Sequence, residues 1–307
     1  MSNPSEFKTS DADSYRNVVA SFDRYTQRFT RHLLPHLRDA VQLAPGDRLL
    51  DVGTGSGVVA LGLAPVVGAH GRVVGIDLSD EMLAFARTRA QADAHGDHVS
   101  FETADAEQLP FENDSFDVAI SLYALRHFPN PDRAVAELHR VVRPGGRVAI
   151  AVGSRPSLLS PAGQRAAVRR LASMYRTSTG RELNACAHVD ALVDAHLPPP
   201  AAQEIAGWVS TRESFGQPVA TLLRQAGFEV ARSGWHGQYT IVDDIDDFWD
   251  LQVTFSSRAR KRIAAAAPQQ VADLRRAFDA QCAAVLARRG RLVYQSGAQV
   301  VSATKPA

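Results

Sequence analysis

The segment with the clearest chemical meaning joins an aspartate to three evenly spaced glycines. Residues 51–57 read D-V-G-T-G-S-G, after a run typical of a buried strand and before a run typical of a helix. Glycine permits a positive φ and the close approach of a ligand, and a helix N-terminus offers unpaired N–H groups to a carboxylate or phosphate. The dinucleotide fingerprint is not matched, because Val58 stands where it requires a third glycine, and no GK[ST] phosphate loop is present.

Asp51 indicates the charge of the expected ligand. A carboxylate at this position repels a pyrophosphate but accepts hydrogen bonds from an ammonium group, directly or through water. The amino group of a methionine derivative meets this requirement, whereas NAD does not. The alternative is that Asp51 only orients the glycine loop, since carboxylates also organise turns.

Two further acids follow the next two predicted strands. Asp77 ends the second strand and can hold both hydroxyls of a ribose, because Ser79 or Asp80 already serves as the helix N-cap. Asp105 lies at the end of the third strand, where it can accept a hydrogen bond from an adenine amino group. Ligands of open α/β sheets bind outside the carboxyl ends of the strands. Asp51, Asp77 and Asp105 at one edge therefore form a more specific signal than any one of them.

The elements that must position these acids alternate between strands and helices. The predicted strands cover residues 48–52, 72–76, 99–103, 117–122, 147–152, 228–232 and 291–303. The predicted helices cover residues 15–41, 58–67, 80–92, 131–141 and 219–225, with further helical sequence over 244–289. This order predicts an α/β, Rossmann-like, doubly wound sheet that is mostly parallel, with an antiparallel last strand and helical lid insertions.

The rhythm of strands and helices also predicts the domain organisation. We expect one core with insertions rather than two independent domains, and residues 1–13 are expected to be disordered. The predicted segments are an N-terminal helical cap over 1–44, a cofactor-binding core over 45–153, a helical lid insertion over 154–213, and the remainder of the core over 214–307, with a helical insertion at 244–289.

Taken in order, these motifs resemble the class I S-adenosylmethionine-dependent methyltransferases. The motifs are DVGTGSG, GIDLSDEML, ADAEQLPF, FDVAISLYALRHFPNP and RVVRPGGRV. They are most similar to the branch with the ubiquinone/menaquinone-biosynthesis C-methyltransferases and many natural-product methyltransferases. The resemblance covers residues 45–153 in order and Leu222–Val230 and Leu292–Ala303 loosely. It implies S-adenosylmethionine as the cofactor.

The resemblance further implies a set of cofactor contacts. They are Asp51, Gly53 and Gly55 with the methionyl part, the Ser121 carbonyl with the amino group, Asp77 with the ribose, Leu78 and Met82 with the adenine pocket, and Asp105 and the Ala106 amide with the adenine edge. Apart from the resemblance, we expect Gly57 of the loop and Tyr25 of the N-terminal cap to contact the cofactor as well. For Met82, ordinary helix packing is an equal alternative.

The end of the fourth strand, S-L-Y-A-L-R-H over residues 121–127, narrows the acceptor. It lacks the Asn/Asp-Pro-Pro-aromatic run of enzymes that methylate amino groups of nucleic acids. A cytosine-C5 methyltransferase would need a cysteine nucleophile near it, but both cysteines, Cys186 and Cys282, lie elsewhere. The segment also lacks carboxylates for magnesium, so we expect a small-molecule acceptor and no metal. The cap and lid supply apolar and aromatic side chains, which favour a hydrophobic or aromatic acceptor, although core packing explains any one of them. They are Phe22, Tyr25, Phe29, Met174, Tyr175, Trp208 and Phe215, and the later stretch with Trp235 and Tyr239 adds more.

Three side chains are candidates for catalysis. His127 titrates near neutrality and follows the fourth strand, so it can act as a general base, but it can equally close the cofactor pocket as a structural residue. Tyr123 lies on the same turn, and His236 lies in the stretch W-H-G-Q-Y near the predicted lid. The transferred methyl group can go to O, N or C; we favour O or C, in secondary metabolism or quinone-type biosynthesis.

Composition limits the partners. The formal net charge is +1, so no global field attracts nucleic acid or a membrane surface. The polar first residues lack the apolar core of a signal peptide, and no stretch has the length of a membrane-spanning helix. We therefore expect a cytoplasmic enzyme without membrane insertion, with a homodimer among the candidate assemblies.

Three alternatives remain open from the residues. A phosphorylated or carboxylated acceptor could be held by lid arginines, although a solvated helical face explains them as well. These arginines are Arg155, Arg165, Arg169, Arg170, Arg176 and Arg181. An NAD-linked oxidoreductase is disfavoured by Val58 and Asp51. A protein that binds S-adenosylmethionine without catalysis would have the same cofactor half.

Overall fold

Strands and helices alternate through the part of the chain that contains the glycine loop. The computed structural model describes residues 8–9, 12–13, 15–16, 18–154, 161–185, 187–198 and 218–307. By its internal contacts the chain divides into two units. The first comprises Met1–Gly153, Gln203–His236 and Ala298–Ala307, and the second comprises Ser154–Ala202 and Gly237–Gly297.

The strands are β1 (Arg48–Val52), β2 (Arg72–Asp77), β3 (Val99–Thr103), β4 (Phe116–Leu122), β5 (Val142–Gly153), β6 (Glu182–Asn184), β7 (Glu229–Val242) and β8 (Arg291–Thr304). In the first unit they are ordered β3-β2-β1-β4-β5-β8, and β7 pairs with β8. The first four pairings are parallel, and β8 runs antiparallel to β5. The predicted fold class is therefore confirmed, including the antiparallel last strand.

The helices are α1 (Val19–Thr30), α2 (Leu34–Val41), α3 (Val58–Val67), α4 (Asp80–Ala92), α5 (Pro131–Val141), α6 (Pro161–Ser178), α7 (Ala187–His196), α8 (Val219–Gln225), α9 (Ile245–Phe255), α10 (Ser257–Ala265) and α11 (Pro268–Ala287). Neighbouring strand residues serve opposite faces of the sheet, as the pleat requires. Leu50 and Val74 enter a core with α5 and α8, whereas Leu49 and Val73 enter a core with α2, α3 and α4. Burial on both faces explains the nearly continuous apolar strand sequences.

The N-terminal helix differs from its prediction. Instead of one helix over 15–41, α1 ends at Thr30, a 3₁₀ turn covers Arg31–Leu33, and α2 then begins. Pro35 in the first turn of α2 explains the break, because proline has no N–H to donate and clashes with the preceding turn of a continuous helix. The described residues 8–9 and 12–13 are helical rather than disordered.

Two strands are longer than predicted and one was missed. β5 begins at Val142 rather than 147, because Val142 pairs with Phe116 ahead of a register shift. β7 continues to Val242 rather than ending at 232, through a glycine-containing polar stretch that lacks apolar alternation. β6 has three residues, Glu182–Asn184, which are too few to leave a periodic signal.

In the second unit, the two predicted insertions share one apolar core. The ring of His188 on α7 lies 5.0 Å from that of Phe278 on α11 and 6.1 Å from that of Phe248 on α9. The backbone N–H of Val189 donates to Gln252 Oε1 over 3.1 Å. The lid and the 244–289 insertion, which the sequence treats separately, thus pack together, while the predicted domain boundaries themselves remain a prediction.

Candidate functional site

The glycine loop connects β1 to α3 and requires its glycines. Gly53 and Gly57 have φ values of 72° and 79°, in the left-handed region that other residues adopt at a cost. A Cβ on Gly53 would lie 2.1 Å from the Ala124 Cβ, and one on Gly57 would lie 2.9 Å from Phe101 Cζ. Gly55 is also left-handed, and Phe22 of α1 lies beside it. The loop is therefore held between α1, β3 and the turn after β4.

Asp51 is almost completely buried beneath this loop. Its Oδ2 accepts hydrogen bonds from Thr54 Oγ1 at 2.6 Å and from the Ala60 N–H at 3.1 Å. Its Oδ1 has no hydrogen-bond partner within the described residues. Burial raises the pKa of Asp51 to about 7, against the effect of the two hydrogen bonds, and the nearby Asp77 raises it further. One oxygen thus organises the loop, and the other is the kind of acceptor that an ammonium group would satisfy.

Asp77 connects the glycine loop to the start of α4. Its Oδ2 accepts from the Gly55 N–H at 2.9 Å, and its Oδ1 accepts from the Ser79 N–H at 3.0 Å. Ser79 caps α4 by accepting from the Met82 N–H, as predicted. The sequence implied that Asp77 is free for a ligand, whereas both of its oxygens already accept a backbone hydrogen bond. Each oxygen can still accept a second hydrogen bond from a ribose hydroxyl. Burial raises the pKa of Asp77, while the backbone N–H groups of Ser79 and Gly55 act to lower it.

Asp105 has a partner that the sequence did not reveal. Its Oδ2 accepts from Lys8 Nζ at 2.7 Å, and its Oδ1 accepts from the Glu107 N–H at 2.9 Å. Lys8 Nζ also lies 2.8 Å from Glu107 Oε2. Burial acts to lower the pKa of Lys8, but hydrogen bonds to the two carboxylates raise it overall. The contact spans 97 residues of sequence, so no local pattern could show it.

A cavity of about 600 Å³ lies where the adenine is expected. Its lining includes Lys8, Arg16, Leu78, Ser79, Glu81, Asp105, Glu107, Asn130 and Arg133. Two expected adenine contacts, Leu78 and Asp105, therefore share one space. The other two, Met82 and Ala106, are buried beneath the surface, in keeping with the packing alternative for Met82.

The turn after β4 brings the next candidates together. Ser121 is buried at the end of β4, and its Oγ has no partner within the described residues. Tyr123 has a φ of 61°, its OH is likewise buried and unpartnered there, and burial raises its pKa to about 12. Such a phenol cannot serve as a base near neutral pH. The His127 ring lies edge-on to that of Tyr15, with 6.3 Å between the ring centroids. His127 also lies near enough to Asp77 to act on the pKa of that carboxyl.

Tyr25 and His236 each pack against a ring outside the glycine loop. The Tyr25 side chain is fully buried, stacks on Phe29 at 6.2 Å, and accepts a hydrogen bond from Arg24, so it serves packing within α1. Its cofactor contact remains a prediction. His236 on β7 stacks on His36 of α2, with ring centroids 3.7 Å apart. The sequence singled out His236 but missed His36.

The structure describes only some of the predicted lid residues. Met174 and Tyr175 on α6 are exposed, whereas Trp208, Phe215 and Arg155 lie outside the described residues. Arg176 is engaged by Glu182 at 2.6 Å and is therefore not an open anion ligand. Across the described ranges, no group of three potential metal ligands occurs, and no helix is both long and apolar enough to cross a bilayer.

The chain matches known proteins mainly through this site. A family model of the methyltransferase domain matches residues 50–150. The 2-phytyl-1,4-naphtoquinone methyltransferase of Trichormus variabilis is 42% identical over 113 residues, which are 37% of this chain and only 49% of that protein. The match thus spans about half the length of this relative.

Two other proteins are similar over more of the chain. The 27-O-demethylrifamycin SV methyltransferase of Amycolatopsis mediterranei is 33% identical over 195 residues, covering 61% of this chain and 68% of that protein. The structure of the YcgJ protein of Bacillus subtilis covers 90% of this chain and 99% of its own, with a TM-score of 0.52 and 18% identity. The structural likeness establishes the fold, and the sequence match to the rifamycin enzyme establishes the family.

Proposed function

Since the chain belongs to the S-adenosylmethionine-dependent methyltransferases, we propose that it transfers a methyl group to a small hydrophobic or aromatic acceptor. The observation that carries this proposal is the buried Oδ1 of Asp51, which has no hydrogen-bond partner within the described ranges and lies beside a left-handed glycine loop. A phosphate would be repelled there, whereas the ammonium group of S-adenosylmethionine supplies the missing donors. When bound, this cofactor supplies an electrophilic methyl group on sulfur.

The chain's own residues divide the work of binding. Asp51 would hold the ammonium group and Asp77 the ribose hydroxyls. The N–H groups of Gly53 and Gly55 already donate to the Ile76 carbonyl and to Asp77, so these glycines would serve by leaving room for the methionyl part. Leu78 packs on the adenine ring, and the adenine amino group competes with Lys8 for Asp105. Methyl transfer then depends on placing the acceptor at near-attack distance and excluding water, which α1 serves by covering the loop with Phe22.

The names of the two relatives favour a quinone-type or natural-product acceptor. One is named for a naphthoquinone substrate and the other for an O-demethylated rifamycin. We propose methylation of a phenol, hydroquinone or comparable ring, on oxygen or carbon. His127 acts on the cofactor site through its electrostatic effect on Asp77, and Tyr123 remains a neutral phenol. We assign the acid–base chemistry to His236 instead.

The proposal is tested by binding first and by product second. Titration calorimetry with S-adenosylhomocysteine should show binding to the purified chain and no binding of NAD. The chain is then incubated with S-adenosylmethionine and a panel of phenols, hydroquinones and aromatic polyketides. A product heavier by one methyl group supports the proposal. Tight cofactor binding without any methylated product would favour the non-catalytic alternative.

A further inference from the structure

Three histidines from separate parts of the first unit form a cluster. His36 in the first turn of α2 stacks on His236 of β7, with 3.7 Å between ring centroids and 21° between planes. His32 precedes His36 by four residues, on the 3₁₀ turn between α1 and α2. Both ring nitrogens of His32 are buried and make no well-formed hydrogen bond within the described residues. Buried imidazole nitrogens without partners are costly unless a ligand uses them.

The cluster lies toward the edge of the sheet that carries the glycine loop. Gln299 Nε2 donates to Ser233 Oγ over 2.8 Å, and Gln299 pairs with Val152 near the carboxyl end of β5. Since β5 and β7 both run antiparallel to β8, they run in the same direction. His236, three residues after Ser233, is therefore about 10 Å farther toward the carboxyl edge.

The helix that carries His36 has the matching orientation. Arg147, near the amino end of the parallel part of β5, donates to the carbonyl of Gln42, which caps the C-terminus of α2. Because α2 is about 12 Å long, its first turn lies toward the opposite, carboxyl edge. The preceding helix, α1, carries Phe22 beside Gly55 and leads directly into His32. One continuous segment thus runs from the glycine loop to the histidine cluster.

The protonation state of the cluster suits a base. Burial lowers the pKa of His236, and the neighbouring His36 and His32 lower it further. Burial and His36 also lower the pKa of His32, against an opposing contribution from the Phe29 backbone. The charged groups that act on these two rings are the other histidines of the cluster. Both rings are therefore neutral at pH 7 and able to accept a proton.

We propose that this cluster is the acceptor-hydroxyl site, in which His236 binds an acidic aromatic hydroxyl and takes its proton. This inference rests on the proposed methyl transfer. The O–H bond of the phenol or hydroquinone breaks, and its proton passes to a ring nitrogen of His236. The electron-rich oxygen forms the new bond to the methyl group. Where the conjugated ring carbon does so instead, that carbon then releases its own proton and the oxygen takes a proton back. The C–S bond of S-adenosylmethionine breaks with its electron pair remaining on sulfur, which gives S-adenosylhomocysteine.

The stacked partner has a defined role in this step. His36 lies face to face with the His236 ring and so fixes the plane in which His236 meets the acceptor. His36 is exposed, so the proton has a short route to water. His32 supplies a second buried imidazole for a neighbouring polar group of the acceptor.

A first test compares turnover in matched variants. His236→Gln should lower kcat by about 10²–10⁴-fold, while the dissociation constant for S-adenosylhomocysteine stays within about twofold. The wild-type rate should rise with pH through an acid limb below about pH 6.5, and the limb should vanish in the variant. His70→Gln, on the exposed turn before β2, is the control and should match wild type. An unchanged kcat and acid limb in His236→Gln would overturn the proposal.

The closing experiment needs no turnover. Binding of 4-nitrophenol, whose phenolate differs in colour from the phenol, is followed by absorbance in the presence of saturating S-adenosylhomocysteine. On wild type and His70→Gln the bound probe should ionise about 1–3 pH units lower than on His236→Gln. Equal ionisation in all three, or no binding to wild type, would overturn the histidine site. Failure of the proposed function is read separately, as missing binding of S-adenosylhomocysteine or missing methylated product.

Discussion

Replacing Asp51 by Asn should stabilise the fold and weaken the cofactor site at once. The buried carboxyl has its pKa raised from 3.8 to about 7. The folded chain therefore binds more protons than the unfolded chain between these values, so the free energy of unfolding falls as pH rises through this window. A shift of about three units corresponds to about 4 kcal/mol, and we expect about 2–4 kcal/mol. Asn keeps an oxygen for Thr54 and Ala60 but does not ionise.

The assay is urea unfolding of wild type and Asp51→Asn at pH 4 and pH 8. The stability of the variant relative to wild type should increase by about 2–4 kcal/mol between the two pH values, and the pH 4 pair serves as an internal control. At pH 8 the variant should also bind S-adenosylhomocysteine about tenfold or more weakly, because a charged hydrogen bond to the ammonium group is lost. If the difference in free energy of unfolding between Asp51→Asn and wild type does not change with pH, the raised pKa of the buried Asp51 carboxyl is refuted.

Four further predictions follow from the site. Gly53→Ala should lower the free energy of unfolding by about 2–5 kcal/mol and abolish cofactor binding. Gly46→Ala is the control, because Gly46 has a φ of 86° and no atom lies within 4 Å of the new Cβ. It should lower the free energy of unfolding by only about 1–2 kcal/mol and leave cofactor binding normal in calorimetry. Asp77→Asn should weaken S-adenosylhomocysteine by about 1.5–3 kcal/mol; an unchanged dissociation constant would remove it from the ribose site. Lys8→Gln should strengthen binding about two- to fivefold by releasing Asp105, and weaker binding would show that Lys8 organises the site instead. Excess EDTA should leave turnover unchanged, and a loss restored by magnesium would contradict the metal-free mechanism.

The sequence predicted the core strands and helices because local signals were strong and consistent. The apolar run at Leu49 and Leu50 is bounded by a turn and the glycine loop, so the observed limits of β1 agree with prediction. Asp51 and Asp77 could be singled out because acids at the carboxyl ends of such strands have a chemical meaning, while their cofactor contacts stay predictions. The break before Pro35 could have been predicted, because a proline within a helical pattern indicates the first turn of a new helix.

The rest depended on contacts between distant parts of the chain. The ion pair of Lys8 with Asp105 and the stacking of His36 on His236 join residues whose local sequences are unremarkable. β7 lacks alternation because its residues are mostly half-exposed, so neither face produced a hydrophobic pattern. The burial of Tyr25 against Phe29 is likewise a tertiary contact that the sequence did not show, and its predicted cofactor contact stays a prediction.

The central claim is methyl transfer to an aromatic acceptor from a cofactor held by the glycine loop. The most direct test incubates the purified chain with S-adenosylmethionine carrying a labelled methyl group and a panel of phenols and hydroquinones. Mass spectrometry should find the label in one acceptor class, with one S-adenosylhomocysteine formed per methylated product, and Gly53→Val should form neither. Binding of S-adenosylhomocysteine with no labelled product from any acceptor, or product formation equal in Gly53→Val, would contradict the account.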